Sequence, residues 1–321
     1  MSKSPLVCTS LDTADVERYS QEFLLNCKYQ QLSATTIEVR RIFLKNLIWF
    51  LKHRGFTECA TSPQLREFFL YLRTGHEEPC GRWGNPNLRK PLRPVSVKDY
   101  YICLKIFFDW MVSEGLVETS PLERIERPQA REEVKQPLSA DQTQSLLQAA
   151  RNSSKPHRNE AILLMLFDSG VRASELISIR VRDIDLQNCS FEVTGKGNKK
   201  RMCYLGRNTA RSITVYLRKA KLAPDSALFP CTSDNAEPLS RSGLLHLIKR
   251  LAKKAGVSAN VHQLRRTFAT SMLENGADII SVRDMLGHTN IQMTLKYLSV
   301  AQSHIESQHR KFSPGDRLNM K

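Results

Sequence analysis

Residues 262–269 read His-Gln-Leu-Arg-Arg-Thr-Phe-Ala, and Leu286-Gly287-His288-Thr289-Asn290 and Tyr297 follow within thirty residues. On a helix His262 and Arg265 are i,i+3 neighbours, so an imidazole and a guanidinium share one face while Leu264, Phe268 and Leu273 pack the other side down. Two such groups converging on one point suit an anion. A satisfied histidine beside a surface arginine is the plainer alternative while this stretch stands alone. Gly287 closes a helix, Thr289 or Asn290 caps the next, and His288 falls in the break. Tyr297 lies in a helical run with Ile291, Leu295 and Leu298. A phenol there is ordinarily filler, and with an unperturbed pKa near 10 it needs a base or a cationic pocket before it can attack.

Working upstream, Gly170-Val171-Arg172-Ala173-Ser174-Glu175-Leu176 follows the apolar helix around Ala161–Phe167. The glycine ends that helix and sets Arg172 at the start of the next segment, with Glu175 three residues on and able to fix its orientation. A planar guanidinium is the side chain best shaped to hold both nonbridging oxygens of a phosphodiester. Cys189–Val193 and Arg201–Leu205 are short strand candidates joined by Thr194-Gly195-Lys196-Gly197-Asn198-Lys199-Lys200, a hairpin loaded with positive charge. Its tip can bring the Lys196 ammonium beside a leaving oxygen. Lys199, Lys200 and Arg201 are expected to hold phosphates outside the reaction centre, and Arg266 is a further backbone-contact candidate.

The rest of this half is helical: a segment capped by Ser139, then Thr209–Lys219, Ser242–Ala255, His262–Leu273, Asp278–Leu286 and Asn290–Leu298. The first half is helical too. Ser33 caps a run in which Ile37, Phe43, Leu44, Leu47, Ile48 and Leu51 recur at helical spacing up to Gly55, and a shorter helix follows from about Pro63 to Arg73. Gly and Pro crowd residues 74–94, which predicts a long surface loop whose Arg82, Lys90 and Arg93 reach a phosphate backbone; a tolerated insertion is the alternative. Ser96 is expected to precede a helix packed through Tyr100, Tyr101, Leu104, Phe107, Phe108 and Met111. Charge and proline then mark a linker.

The 321 residues suffice for two cores, and 41% hydrophobic with 25% charged residues is a folded, soluble balance. The longest apolar runs fall far short of the roughly 20 residues that span a bilayer, and no signal-like stretch opens the chain, so a cytoplasmic protein without membrane association is expected. The eight cysteines are scattered without metal-ligand spacing and are read as free thiols. Net charge is +16, of which +13 falls after Ala130 (30 Lys and Arg against 17 Asp and Glu from Arg131 onward), a field that attracts a polyanion.

Arg172, Lys196, His262-x-x-Arg265, Leu286-Gly287-His288 and Tyr297 together resemble, in order and spacing, the tyrosine recombinase (phage integrase-like) family over about Leu11 to Gln302. The resemblance is to the simple two-domain form of chromosome dimer-resolving, integron or transposon recombinases, although the basic loop departs from it. It implies a mainly α fold: a helical, SAM-like core-binding domain (10–120), a linker (121–137), a mixed α/β catalytic domain with a small antiparallel sheet (138–310) and a flexible tail (311–321). It further implies that Tyr297 attacks the scissile phosphate of double-stranded DNA to give a 3′-phosphotyrosyl bond. Arg172 and Arg265 would neutralise the nonbridging oxygens, His288 would donate to them, Lys196 would protonate the 5′ oxygen, and His262 would assist at the tyrosine. Strand exchange would pass through a Holliday junction in a DNA-bound homotetramer, with a second recombinase or accessory protein as a possible partner, and with no metal or other cofactor.

Three alternatives stay open: a type IB topoisomerase-like relaxing enzyme, a metal-dependent nuclease, and a catalytically silent DNA-binding module. The nuclease would need clustered ligands, and Asp278 and Asp284 are not obviously convergent with His288. The segment Ser299–Phe312, with Val300, Ile305 and Phe312, reads either as a helix docking on a neighbouring subunit or as a frayed tail.

Overall fold

The computed structural model describes residues 11–56, 61–75, 81–130, 136–195, 199–231, 237–298, 309–311 and 313–314. The chain divides into two compact units, Met1–Glu133 and Val134–Lys321.

Among the described residues four helices build the first unit: α1 (Thr13–Tyr29), α2 (Ala34–Arg54), α3 (Ser62–Arg73) and α4 (Pro94–Ser113). The Asp12 carboxylate accepts from the Asp15 amide at the start of α1, and Ser33 caps α2 by accepting from Thr36. Gly55 stops α2 at φ +65°, in the left-handed region that glycine enters without a Cβ clash. Phe23, Leu44, Phe50, Phe68, Leu104, Phe107 and Phe108 bury fully between the helices. Helix α1 went unread in the sequence; its buried stripe Val16, Ser20, Phe23 and Cys27 is interrupted by a serine, and Leu25 lies exposed on another face.

The stretch 74–94 departs from the expected structureless basic loop. Its described part is tied down by Arg82 N→Leu88 O (2.9 Å), Leu88 N→Asn85 O (2.9 Å) and Leu92 N→Leu72 O (2.9 Å). Trp83 packs among Trp49, Phe68, Tyr71 and Tyr100. Arg82 is 5% exposed and donates to the carbonyl of Lys90 (2.8 Å). It holds the loop closed and presents no charge to a phosphate, which corrects its reading as a backbone contact. Lys90 and Arg93 are exposed. Helix α4 begins at Pro94, which occupies the first turn where a missing N–H costs nothing, and not after Ser96. Residues 121–125, read as the start of a linker, pack on this unit through Ser62 Oγ→Pro121 O (2.7 Å), Tyr101 Oη→Ile125 O (2.8 Å) and buried Leu122.

The second unit opens with α5 (Ala140–Arg151), started by a full capping box between Ser139 and Gln142. After it come α6 (Pro156–Ser169), α7 (Ala173–Ser178), a three-stranded antiparallel sheet in the order β1 (Ile184–Asp185), β2 (Ser190–Thr194), β3 (Lys200–Tyr204), and then α8 (Arg207–Ala220), α9 (Arg241–Lys254), α10 (Val261–Glu274), α11 (Ile279–Leu286) and α12 (Gln292–Leu298). Phe191 faces Cys203 and Thr194 faces Lys200 across β2 and β3, so the pleat sends Phe191, Val193 and Cys203 inward. Central α6 packs on α5, α8 and α10 through Ile162, Met165 and Leu166. A separate small cluster of Phe268, Ala269, Leu273, Val282 and Leu286 joins α10 to α11 and receives the ring of Tyr297.

The described architecture is mainly helical with a small antiparallel sheet, as the sequence indicated. Val300, Ile305 and Phe312 lie outside the described residues. Among those described, no helix is long and apolar enough to cross a membrane, and Cys27, Cys103, Cys189, Cys203 and Cys231 are free thiols.

Candidate active site

Gly170 ends α6 at φ +61°, and a Cβ there would stand 2.4 Å from the Phe268 ring, so both conformation and space demand glycine. The turn it makes delivers Arg172 as the residue preceding α7. Glu175, in the first turn of α7, reaches back and accepts from the Arg172 amide (2.7 Å) and from Arg172 Nη1 (2.7 Å). Its outer partner comes from β3: Arg201 donates from both terminal nitrogens to the same carboxylate (2.7 and 2.8 Å) and from Nε to the carbonyl of Met285 (3.1 Å). Glu175 is 2% exposed. Burial alone would raise its pKa, but the hydrogen bonds from Arg201 and Arg172 outweigh that and bring the carboxyl down to about 2.

Arg172 next donates from Nη2 to the carbonyl of Gly287 (3.0 Å). Arg265, on α10 and 5% exposed, donates to the carbonyl of Gly170 and to that of Leu286 (2.5 Å). The two guanidiniums thus take consecutive carbonyls at the end of α11, immediately before His288. Burial first, and the nearby charge of Arg172 second, lower Arg265 to about 10, so it stays protonated at neutral pH.

His288 is 7% exposed, and its Nδ1 hydrogen-bonds with Oγ1 of fully buried Thr294 (2.8 Å). Burial, then the charges of Arg265, Arg172 and Arg201, push it down to about 4, which leaves a neutral ring at physiological pH in the absence of a phosphate. The Tyr297 ring lies alongside, with centroids 6.2 Å apart and planes inclined by 27°. Arg172, Arg265, His288 and Tyr297 are therefore gathered on the loop and helix around Gly287.

His262 sits one turn before Arg265 on α10 with its side chain exposed. Partial desolvation and then the charges of Arg241, Arg265 and Arg172 lower its pKa. Lys196 lies outside the described residues. Its neighbour Gly195 donates to the carbonyl of Lys199 (2.8 Å), and a side-chain carbon on Gly195 would lie 3.5 Å from a Glu175 carboxylate oxygen, so the described base of the hairpin abuts the cluster.

Arg201 requires a correction. Expected as an outlying phosphate contact, it is an inward-facing partner of Glu175, its side chain 13% exposed. The signal was the two-residue alternation of β3, which puts Arg201 on the same side as buried Cys203. Lys199 and Lys200 are exposed, and the Lys200 ammonium pairs with Glu192 (2.7 Å). Arg266 is half-buried on α10. Thr294 went unnoticed in the sequence, although it stands one turn before Tyr297 on α12. Among the described residues no group of three or more His, Cys, Asp or Glu side chains could hold a metal ion.

Residues 136–304 match the model of the phage integrase family. The chain is 31% identical to the tyrosine recombinase XerD of Listeria innocua over 299 residues, covering 88% of this chain and 94% of that protein. Among solved structures it resembles the XerH site-specific recombinase bound to palindromic difH substrate in a post-cleavage complex, with a TM-score of 0.72 and 19% identity over 96% of this chain and 98% of the other. It also resembles the Tn1549 transposon integrase in complex with transposon right end DNA, with a TM-score of 0.70 and 17% identity over 93% of this chain and 99% of the other.

Proposed function

The chain belongs to the phage integrase family of tyrosine recombinases, and from that premise we propose that it is a site-specific DNA recombinase whose nucleophile is Tyr297. The reading rests on one observation above the others: two guanidiniums anchored on the adjacent carbonyls of Leu286 and Gly287, beside a buried histidine whose ring lies along the tyrosine.

In this mechanism the Tyr297 oxygen attacks phosphorus as the bond to the 5′ oxygen breaks. A 3′-phosphotyrosyl ester forms and a 5′-hydroxyl leaves. The phenolic proton passes by way of His262, and Lys196 protonates the departing oxygen. Arg172 and Arg265 face the nonbridging oxygens, Arg172 with donors left over after bonding the Glu175 carboxylate and the Gly287 carbonyl and Arg265 after bonding two carbonyls, because a guanidinium has five. With Nδ1 occupied by Thr294, His288 offers Nε2 to the same phosphate. Each donor aimed at charge that builds in the transition state is worth on the order of a hundredfold in rate. Phosphoester energy is retained in the enzyme–DNA bond, so a 5′-hydroxyl from a partner strand can reverse the step and build a Holliday junction. Exchange between two duplexes calls for several copies on DNA, hence a tetramer. The +16 net charge supplies attraction to the backbone, with Lys90, Arg93, Lys199, Lys200 and Arg266 as contacts.

The test is a nicked suicide substrate that traps the covalent adduct, run in EDTA. The wild-type chain is expected to give an adduct, and Tyr297→Phe to bind the same DNA and give none. An adduct on the phenylalanine variant would assign the nucleophile elsewhere. A two-site substrate separates recombination from relaxation by its products.

A further inference from the structure

Helix α6 runs 14 residues, about 21 Å at 1.5 Å per residue, and Arg172 follows its far end. At the near end a second cationic cluster surrounds a cavity of about 240 Å³ that opens to solvent between the start of α6 and the end of α8. Its floor is apolar, made by the ring of Tyr216 with Leu222 and Pro230, and its rim carries Lys155, His157, Arg158 and Lys219.

Lys219 and Arg158 have hydrogen-bond partners, and among the described residues none is a carboxylate. The Lys219 ammonium, which can only donate, gives a hydrogen bond to Nε2 of His157 (2.7 Å). Arg158 donates from Nη1 to the carbonyls of Pro230 (3.0 Å) and Cys231 (3.4 Å), while its Nε is buried without an acceptor among the described residues. Burial first, with Arg250 of the same sign also acting on it, lowers the pKa of Arg158. Three permanent or nearly permanent cations with no ion pair among the described residues, one of them with a buried donor that has no acceptor there, suit an anionic ligand.

We propose that this cavity docks an acidic peptide segment of a protein partner, with an aromatic side chain seated on Tyr216 and flanking carboxylates held by Arg158 and Lys219. Size favours a side chain over a metabolite, since small-molecule sites typically enclose about 300–1,000 Å³. Sign excludes the tail of a second copy, because the chain after Ser299 holds more basic than acidic residues. A nucleic-acid backbone finds no use for an apolar floor, whereas an aromatic anchor ringed by charge is the usual anatomy of a peptide contact. The site stands apart from the phosphate cluster, so docking there leaves strand cleavage itself untouched.

Fluorescence anisotropy of a fluorescein-labelled Ser-Glu-Asp-Phe-Glu-Ser peptide with the full chain at 150 mM salt tests the proposal. Saturable binding is expected, weakened at least tenfold by Lys219→Glu and by Arg158→Met, and at least fivefold when the peptide's Phe becomes Ala. Both protein variants should cleave a suicide substrate within twofold of wild type. Lys219 is exposed, so its variant keeps the test valid should Arg158→Met unfold. The proposal falls if no binding is seen at 1 mM peptide, or if wild type and Lys219→Glu bind alike. It falls equally if the Ala peptide binds as well as the Phe peptide, which would be plain attraction between a polycation and an acidic chain. A matching loss of duplex-DNA affinity in Lys219→Glu would make the rim a phosphate contact instead.

Discussion

Replacing Glu175 by Gln keeps shape and removes the charge that joins Arg172 to Arg201. The carboxylate accepts four hydrogen bonds from these two residues and is 2% exposed. Its fall from the ordinary 4.5 to about 2 in the folded chain corresponds to roughly 3 kcal/mol, at about 1.4 kcal/mol per pKa unit. Breaking a buried ion pair from one side costs about 3–5 kcal/mol in general, so about 3 kcal/mol is the expected loss. For a unit the size of Val134–Lys321, each kcal/mol shifts the midpoint by about 2–4 °C, so calorimetry at pH 7 should show the second unit melting roughly 6–12 °C lower. The sign with pH follows from a folded-state pKa below the unfolded one. The contribution is complete above about pH 4.5 and disappears as pH falls toward 2, so the gap between wild type and variant should narrow across that window. Arg172 also loses the carboxylate that aims it, so suicide-substrate cleavage should drop at least tenfold while DNA binding persists. A variant that melts within 2 °C of wild type at pH 7 and cleaves normally would refute the claim that this carboxylate organises the site.

Arg172→Lys keeps the charge but not the planar fork, and a loss of about a hundredfold in adduct formation is expected; near wild-type cleavage would exclude a two-oxygen grip. His288 has a folded pKa depressed to about 4, so its unfolded form takes up a proton first. Relative to His288→Gln, the wild type should lose up to about 1.4 kcal/mol of stability per pH unit as pH falls from 6.5 toward 4, and parallel urea-denaturation profiles for the two chains would contradict its burial as a neutral ring. Arg82→Met should destabilise the first unit by about 2 kcal/mol through the lost bond to Lys90 and leave the salt dependence of DNA binding unchanged; a slope smaller by about one would return Arg82 to the phosphate contacts.

The parts of the site that the sequence disclosed are those whose geometry is local. His262 and Arg265 share a helix at fixed spacing, Glu175 lies three residues from Arg172, and glycines at 170 and 287 mark helix ends whose left-handed φ the structure bears out. Helices α8 to α12 and strands β2 and β3 fall within about two residues of expectation, and Ser139 caps α5 as read, whereas β1 was not read and α6 begins five residues before its expected start. The misreadings concern residues whose partner is distant. Arg201 bonds to the carbonyl of Met285, 84 residues away, and three basic residues in succession look alike until the strand's alternation is applied. Arg82 stands among turn-forming residues, and no nearby pattern foretells that its guanidinium turns inward to a backbone oxygen. The glycines and prolines of 81–93 predict turns correctly but are silent on whether those turns fold back onto a tryptophan.

Arg265 carries a lesson about loss of function. Its side chain stitches the carbonyl that follows α6 to the one that ends α11, so the charge proposed to meet a phosphate also holds two helix ends together. A chain of this architecture that drifted toward inactivity through position 265 would have to re-seal that seam by some other means. Silent descendants should therefore more readily be found with Tyr297 altered, a half-buried ring at the margin of a small cluster, than with this arginine gone.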